Sequence, residues 1–120
     1  MNLEQLMQYS PNTDIFALLG WLVFAHILLD FALQGDFMAK SKDFIRPTHG
    51  VSPTLMLAMH SFTHAFAVYI ITGSFLLFAI EWVLHALIDY MKVHRWLSFN
   101  FDQGLHITVK VLFVIYLGLL

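Results

Sequence analysis

Four long apolar stretches make up most of this 120-residue chain. Each approaches the roughly 20 residues that a helix needs to cross about 30 Å of hydrocarbon. Hydrophobic residues make up 59% of the composition and charged residues 12%, and the mean hydropathy of +0.73 is unlike that of a soluble domain. Because helices satisfy every backbone group in lipid, we predict an all-α integral membrane protein, a four-helix bundle. It forms one domain over residues 1–120, with spans at about residues 14–37, 53–72, 74–93 and 102–120.

Capping signals mark the ends of three of the predicted spans. Asp14 is a good N-cap for the first span, and Ser52 followed by Pro53 is a typical start for the second. Gly73 and Ser74 predict a C-cap followed directly by an N-cap. So short a connection makes the second and third spans an antiparallel hairpin.

Two further signals lie toward the ends of the chain. Leu3, Leu6 and Met7 share one helical face, which predicts a short N-terminal helix lying in the membrane interface. Asn100, followed three residues later by Gln103, resembles a capping box at the start of the fourth span.

Basic residues predict the topology. Five of the six lysines and arginines lie in or beside the loops between spans one and two and between spans three and four. The positive-inside rule places these loops in the cytoplasm and both termini outside it, in a multi-pass protein of the bacterial inner membrane. We interpret Lys40, Lys42 and Arg46 as topology signals, and we expect Lys110, inside span four, to face the bundle or to snorkel. No basic residue precedes span one, so we expect that span to be retained rather than cleaved as a signal peptide.

Composition also excludes several kinds of site. The chain has no cysteine, which removes disulfides, thiolate metal ligands and cysteine nucleophiles. It has no basic patch of the kind that binds nucleic acid. The expected partner is membrane lipid, and the sequence does not determine the oligomeric state. Any metal must therefore be held by nitrogen and oxygen.

Ionisable side chains recur in pairs along the apolar stretches. The two members of each pair are four residues apart, so they share one helix face. All four pairs fall in the cytoplasmic half of the predicted bilayer, where each ionisable group costs at least about 2.5–3.5 kcal/mol. These groups are best satisfied by one another or by a cation. The pairs are His26 with Asp30, His60 with His64, His85 with Asp89, and Asp102 with His106.

Imidazoles and carboxylates together are typical ligands of Zn²⁺, Mn²⁺ or Fe²⁺, and we expect one or two ions, with zinc as the first choice. The ligands expected first are His26, His60, His64, His85 and Asp89. Asp30, Asp102 and His106 follow as further ligands, as orienting carboxylates or as a catalytic base. Glu81, one turn before His85, is a deeper ligand or a general base. Lys92, with Lys40 and Lys42, is placed to receive an anionic group such as phosphate.

The favoured function is hydrolysis of a lipid or another membrane-located ester, phosphoester or amide, reached from the cytoplasmic leaflet. A metal would lower the pKa of a bound water and polarise the scissile group. One alternative is a transporter of metal ions or protons, although the outer half of every span is nearly free of polar groups. Another is a noncatalytic regulator stapled by metal. For any single pair, a hydrogen-bonded contact between helices is an equally good interpretation, but four pairs of one spacing and depth favour a site.

The same residues resemble a known family. The run from His26 to Lys42, the pair His60 and His64, the run from His85 to Lys92, and Asp102, Gln103 and His106 resemble the bacterial and phage membrane-protein family called domain of unknown function 3307. The resemblance covers nearly the whole chain from span one onward and leaves out residues 1–12. The same pattern of residues is similar, more loosely, to small inner-membrane proteins described as metal-dependent hydrolases. The resemblance implies a membrane metalloprotein more firmly than it implies any reaction.

Overall fold

The computed structural model describes residues 14–119, which form an all-α chain of five α-helices without a β-strand. The predicted interfacial helix at Leu3, Leu6 and Met7 lies outside the described residues. The helices are α1 (Ile15–Ile27), α2 (Gly35–Ser41), α3 (Pro53–Thr72), α4 (Phe75–Val93) and α5 (Phe99–Gly118), and a π-helical segment, Leu28–Ala32, continues α1.

The predicted caps at three helix starts are confirmed. Asp14 Oδ1 accepts hydrogen bonds from the backbone N–H groups of Phe16 and Ala17, at 2.9 and 3.3 Å. Ser52 and Ser74 cap α3 and α4 in the same way, with Pro at the start of α3. Gly73 has φ +70°, so it ends α3 in the left-handed conformation, and α4 begins at once. Local side-chain chemistry therefore sets these ends, as expected from the sequence.

The predicted capping box at Asn100 is wrong. Ser98 is the N-cap of α5, and its Oγ accepts a hydrogen bond from the Phe101 N–H at 3.1 Å. The helix consequently starts at Phe99, three residues before the predicted start of the fourth span. A serine hydroxyl one position before the helix satisfies the free N–H groups directly, which leaves Gln103 available for other contacts.

The first span is not the continuous helix predicted over residues 14–37. Its α-helical part ends at Ile27, and the π-helical segment then ends in a turn at Leu33 and Gln34. Gly35 has φ +69°, a conformation that glycine adopts without a steric penalty, and the chain leaves this turn in a new direction as α2. The loop after α2 is therefore shorter than predicted.

The four longer helices divide into an apolar end and a polar end. Helices α3 and α4 form the predicted hairpin, α1 packs against α3 and α5, and α4 packs against α5. The core of the apolar end comprises Leu18, Leu22, Val68, Leu77, Phe113 and Val114. We call this set the apolar plug. Every buried histidine lies on the other side of it, toward the loops that follow α1 and α4.

Three helices are long and apolar enough to cross a membrane: Ile15–Ala32, Pro53–Thr72 and Phe99–Gly118. Large apolar side chains also cover the outside of the molecule, for example Phe16, which is 85% exposed, and Ile70, which is 68% exposed. An apolar exterior of this extent indicates membrane association. Helix α4 carries Glu81, Asp89 and Lys92 and is not among the three.

The turn at Gly73 gives a test of the hairpin. Gly73→Ala should lower the free energy of unfolding by about 1–2 kcal/mol, because alanine is disfavoured in the left-handed region. An added Cβ meets no atom within 4 Å, so the effect is confined to the backbone. The measurement is SDS-induced unfolding in mixed micelles. Gly104→Ala is the control, since this glycine lies inside α5 and its replacement should be neutral or stabilising. Equal unfolding free energies for the two variants would contradict the left-handed conformation of Gly73 at the turn of the hairpin.

Candidate metal centre

The four i, i+4 pairs converge on one buried cluster at the polar end. Each of the eight side chains is at most 9% exposed. The imidazole rings are close to one another, with centroid distances of 3.8 Å between His64 and His85 and 4.2 Å between His85 and His106. The cluster comprises His26, Asp30, His60, His64, His85, Asp89, Asp102 and His106.

One group within the cluster has the composition of a transition-metal site. Asp30, His60, His64 and His85 each offer one ligand atom, and these four atoms lie within 4.8 Å of one another. Asp30 Oδ1 is 2.9 Å from His64 Nε2, 3.2 Å from His60 Nε2 and 3.8 Å from His85 Nε2. Three imidazole nitrogens and one carboxylate oxygen suit zinc, and also iron or manganese. We call this set the nitrogen-rich group.

Two nitrogens of this group lack hydrogen-bond partners. His64 Nε2 and His85 Nε2 are buried, and neither makes a hydrogen bond within the described part of the chain. His64 Nε2 is close enough to Asp30 Oδ1 for an ion pair, but the angles are not those of a hydrogen bond. A buried polar atom without a partner costs about 1–3 kcal/mol. A cation between the nitrogens and the carboxylate would satisfy both, so these atoms fit a metal.

Asp30 reaches the cluster from the π-helical segment. This segment adds a residue to the turn after His26, and the two side chains remain close, with His26 Nε2 3.4 Å from Asp30 Oδ2. Gln34 Nε2 donates to the Asp30 carbonyl oxygen at 3.0 Å, just past the segment. Single π-helical turns occur often at functional sites. The i, i+4 spacing predicted the pair but not this backbone irregularity.

His85 is oriented from its other side. His85 Nδ1 lies 3.3 Å from Glu81 Oε1, and the same carboxylate pairs with Lys110. Both partners of this ion pair are buried, with Glu81 1% and Lys110 2% exposed. A carboxylate on one ring nitrogen fixes which nitrogen is free to face a metal. The prediction that Lys110 faces the bundle is confirmed. Glu81, expected as a ligand or a base, has the contacts of an orienting carboxylate.

Asp89 connects the nitrogen-rich group to a second group. Its Oδ2 lies 3.5 Å from His60 Nε2 and 3.6 Å from His85 Nε2, whereas its Oδ1 lies 3.3 Å from His106 Nε2. Asp89, Asp102 and His106 form a set whose ligand atoms also lie within 4.8 Å of one another. His26, His85 and His106 form a third such set. The eight residues are therefore one continuous site.

The interpretation of Lys42 as only a topology signal is wrong. Lys42 is 7% exposed, and its Nζ lies 2.7 Å from Asp89 Oδ2. Lys92 approaches the second group, with its Nζ 3.7 Å from Asp102 Oδ2, while Lys40 and Arg46 remain exposed. No spacing rule links Lys42 to a residue 47 positions away, because the turn at Gly35 is what directs α2 toward the cluster.

Gln103 is a member of the site that the sequence interpretation missed. Its Nε2 donates to Asp30 Oδ2 at 3.1 Å and to Asp102 Oδ2 at 3.0 Å. Its Oε1 lies 2.9 Å from His26 Nε2, so this ring nitrogen carries the proton. One amide thus holds three members of the cluster. The available signal was the amide itself, because a Gln inside an apolar span often hydrogen-bonds across helices.

Comparison with known proteins gives a family without an assigned activity. The model of a family described as a protein of unknown function (DUF3307) matches residues 18–119, which include every member of the cluster. No curated protein and no solved structure matches the chain.

The pair of Glu81 and Lys110 gives a test of the site's electrostatics. Lys110→Met should lower the free energy of unfolding by about 3–5 kcal/mol, because it leaves a buried carboxylate without its cation. Adding Glu81→Gln should recover much of this loss. Lys40→Met is the control at an exposed lysine, where we expect a change within about 0.5 kcal/mol. Unfolding free energies that are equal for Lys110→Met and Lys40→Met would refute the pairing.

Proposed function

We propose that this chain, which belongs to the DUF3307 family, is a membrane-embedded hydrolase that depends on a divalent metal. The observation that carries the proposal is the nitrogen-rich group, in which two buried imidazole nitrogens without hydrogen-bond partners face one carboxylate. Its substrate is a lipid or another membrane-located ester, phosphoester or amide.

The proposed arrangement is a four-span bundle with α4 as the additional span. Glu81 and Asp89 are paired with Lys110 and Lys42, so the charges on α4 are balanced within the protein rather than exposed to lipid. Lys40, Arg46 and Arg95 are exposed at the polar end. The positive-inside rule therefore puts that end at the cytoplasmic face of a bacterial inner membrane and the apolar plug toward the outside.

Charge balance supports a bound cation. Among residues 14–119, the buried carboxylates are Asp30, Glu81, Asp89 and Asp102, and the buried ammonium groups are those of Lys42 and Lys110. With the imidazoles neutral, as metal ligation requires, two negative charges remain, which one divalent cation offsets. Zinc is the first choice for a set of three imidazoles and a carboxylate, and manganese or iron also fits.

Hydrolysis then requires an activated water and a proton acceptor. A metal held by the nitrogen-rich group would supply the first, since it would lower the pKa of water and polarise the scissile group. Asp89 is the acceptor we propose, because its Oδ2 lies beside His60 and His85 but outside the nitrogen-rich group, and Lys42 stabilises its charge. Glu81 orients His85, and Gln103 orients Asp30 and His26. Asp30 is the most exposed of the eight cluster residues, at 9%, and the neighbouring Lys42 is 7% exposed.

Transport is the weaker candidate. Within residues 14–119, Glu81 and Lys110 are the buried charged groups nearest the apolar plug, and they neutralise each other. The plug offers no polar partner to an ion that moves beyond them. A site reached from one side suits hydrolysis better than alternating access.

Metal content gives the first test of the function. Wild type purified without chelator and supplied with zinc should contain about one tightly bound ion per chain. His64→Ala should lose that ion, because it removes one of the nitrogens that face Asp30. Elemental analysis of detergent-purified protein measures both. His49→Ala is the control, since His49 is exposed in the loop after α2. A folded wild type that binds no metal would overturn the proposal.

Activity gives the second test. Zinc-loaded protein in lipid nanodiscs is incubated with ester, phosphoester and amide lipids, and the products are identified by mass spectrometry. Asp89→Asn should keep the metal but lose roughly 10²–10⁴-fold in kcat, the usual contribution of a proton acceptor. Asp36→Asn, at an exposed carboxylate on α2, is the control. Full turnover in Asp89→Asn would exclude Asp89 as the acceptor, and metal flux into proteoliposomes without hydrolysis would favour transport.

A further inference from the structure

A second group of ligand atoms differs in chemistry from the nitrogen-rich group. Asp89, Asp102 and His106 offer two carboxylate oxygens and one imidazole nitrogen, all within 4.8 Å of one another. Their exposed fractions are 2%, 0% and 1%. Carboxylate-rich sets favour harder cations such as Mn²⁺ and Mg²⁺, whereas imidazole-rich sets favour zinc and iron. The two groups should therefore select different ions.

One carboxylate oxygen of Asp102 is buried without a hydrogen-bond partner, which indicates a ligand. Its Oδ2 is held by Gln103 Nε2 at 3.0 Å and lies 3.7 Å from Lys92 Nζ. Its Oδ1 is buried, makes no hydrogen bond to any described residue and lies 3.5 Å from His106 Nε2. One oxygen is thus fixed by a donor while the other is directed into the group without one.

Asp89 is oriented to serve both groups. Its Oδ1 faces His106, and its Oδ2 faces the nitrogen-rich group and Lys42. The two oxygens of this carboxylate can therefore take different roles. Asp89 can keep Oδ2 available to a proton while Oδ1 binds a second ion.

We propose that Asp89, Asp102 and His106 bind a second, harder divalent cation, Mn²⁺ or Mg²⁺, and that this cation binds together with a phosphate-type anion. The proposal rests on the function proposed above and names its substrate class, a phosphoester. The first cation already balances the buried carboxylates against Lys42 and Lys110. A second cation alone would leave two positive charges uncompensated in an apolar surrounding, and an anion removes that cost. Lys42 and Lys92 flank the same carboxylates and add ammonium donors for such an anion.

The test measures Mn²⁺ binding to zinc-loaded wild type in detergent. The electron paramagnetic resonance signal of free Mn²⁺ reports binding, with and without inorganic phosphate, and a protein-free phosphate blank corrects for complexes in solution. We expect one Mn²⁺ per chain beyond the zinc, bound roughly 10-fold or more tightly when phosphate is present. A parallel series replaces inorganic phosphate with phosphatidic acid in mixed micelles. Enhancement by both probes assigns the effect to the phosphate group itself, and enhancement by the lipid alone assigns it to a headgroup held at the membrane.

Variants separate this position from the nitrogen-rich group. Asp102→Asn should keep its zinc and lose Mn²⁺ binding, and His106→Gln should do the same. Asp36→Asn, the exposed control on α2, should bind both ions as wild type does. Retained zinc also shows that each variant is folded.

The outcomes that overturn the proposal differ from those that overturn the function. Wild type that binds zinc but no Mn²⁺ overturns only the proposed second cation site. Unchanged Mn²⁺ binding in both Asp102→Asn and His106→Gln overturns the same claim. Equal Mn²⁺ affinity with and without each phosphate probe overturns the coupling to an anion. Wild type that binds no zinc overturns the function proposed above and this inference with it.

Discussion

The cost of burying ionisable groups among apolar helices governs this structure. Eight imidazole and carboxylate side chains lie in one buried cluster, together with Lys42. None of them could be placed there singly without a penalty of several kcal/mol. They are tolerated because each lies within a few ångströms of an opposite or complementary partner. The same constraint explains why the polar groups share one end of the molecule while the other end is filled by the apolar plug.

Backbone irregularities direct side chains into this cluster. The π-helical segment carries Asp30 toward the imidazoles of α3 and α4, and Gln34 donates a hydrogen bond to the Asp30 carbonyl oxygen within it. The positive φ of Gly35 then turns the chain, so that Lys42 lies against Asp89. Both irregularities occur between α1 and α3, in the connection that links the first long helix to the second.

The pair of Glu81 and Lys110 marks the boundary between the two ends. Glu81 holds His85 by Nδ1, and this leaves His85 Nε2 facing Asp30 and Asp89. Lys110 neutralises Glu81 from α5, next to the plug residues of the same helix. A buried ion pair is rarely retained for stability alone, since apolar residues of similar volume often serve as well. Its retention here agrees with a role in orienting His85.

The sequence by itself determined the all-α class, the N-caps at Asp14, Ser52 and Ser74, and the shared helix face of each of the four pairs. These features depend on contacts within one helical turn, whose geometry is the same in every helix. Only the tertiary structure decided that Lys42 and Gln103 contact the cluster, that Glu81 lies between His85 and Lys110, and that Asp89 contacts both groups. Such contacts join residues up to 77 positions apart, and they depend on how the helices pack and where the π-helical segment and Gly35 redirect the chain. The periodic pattern of the sequence does not predict how the helices pack or where the chain changes direction.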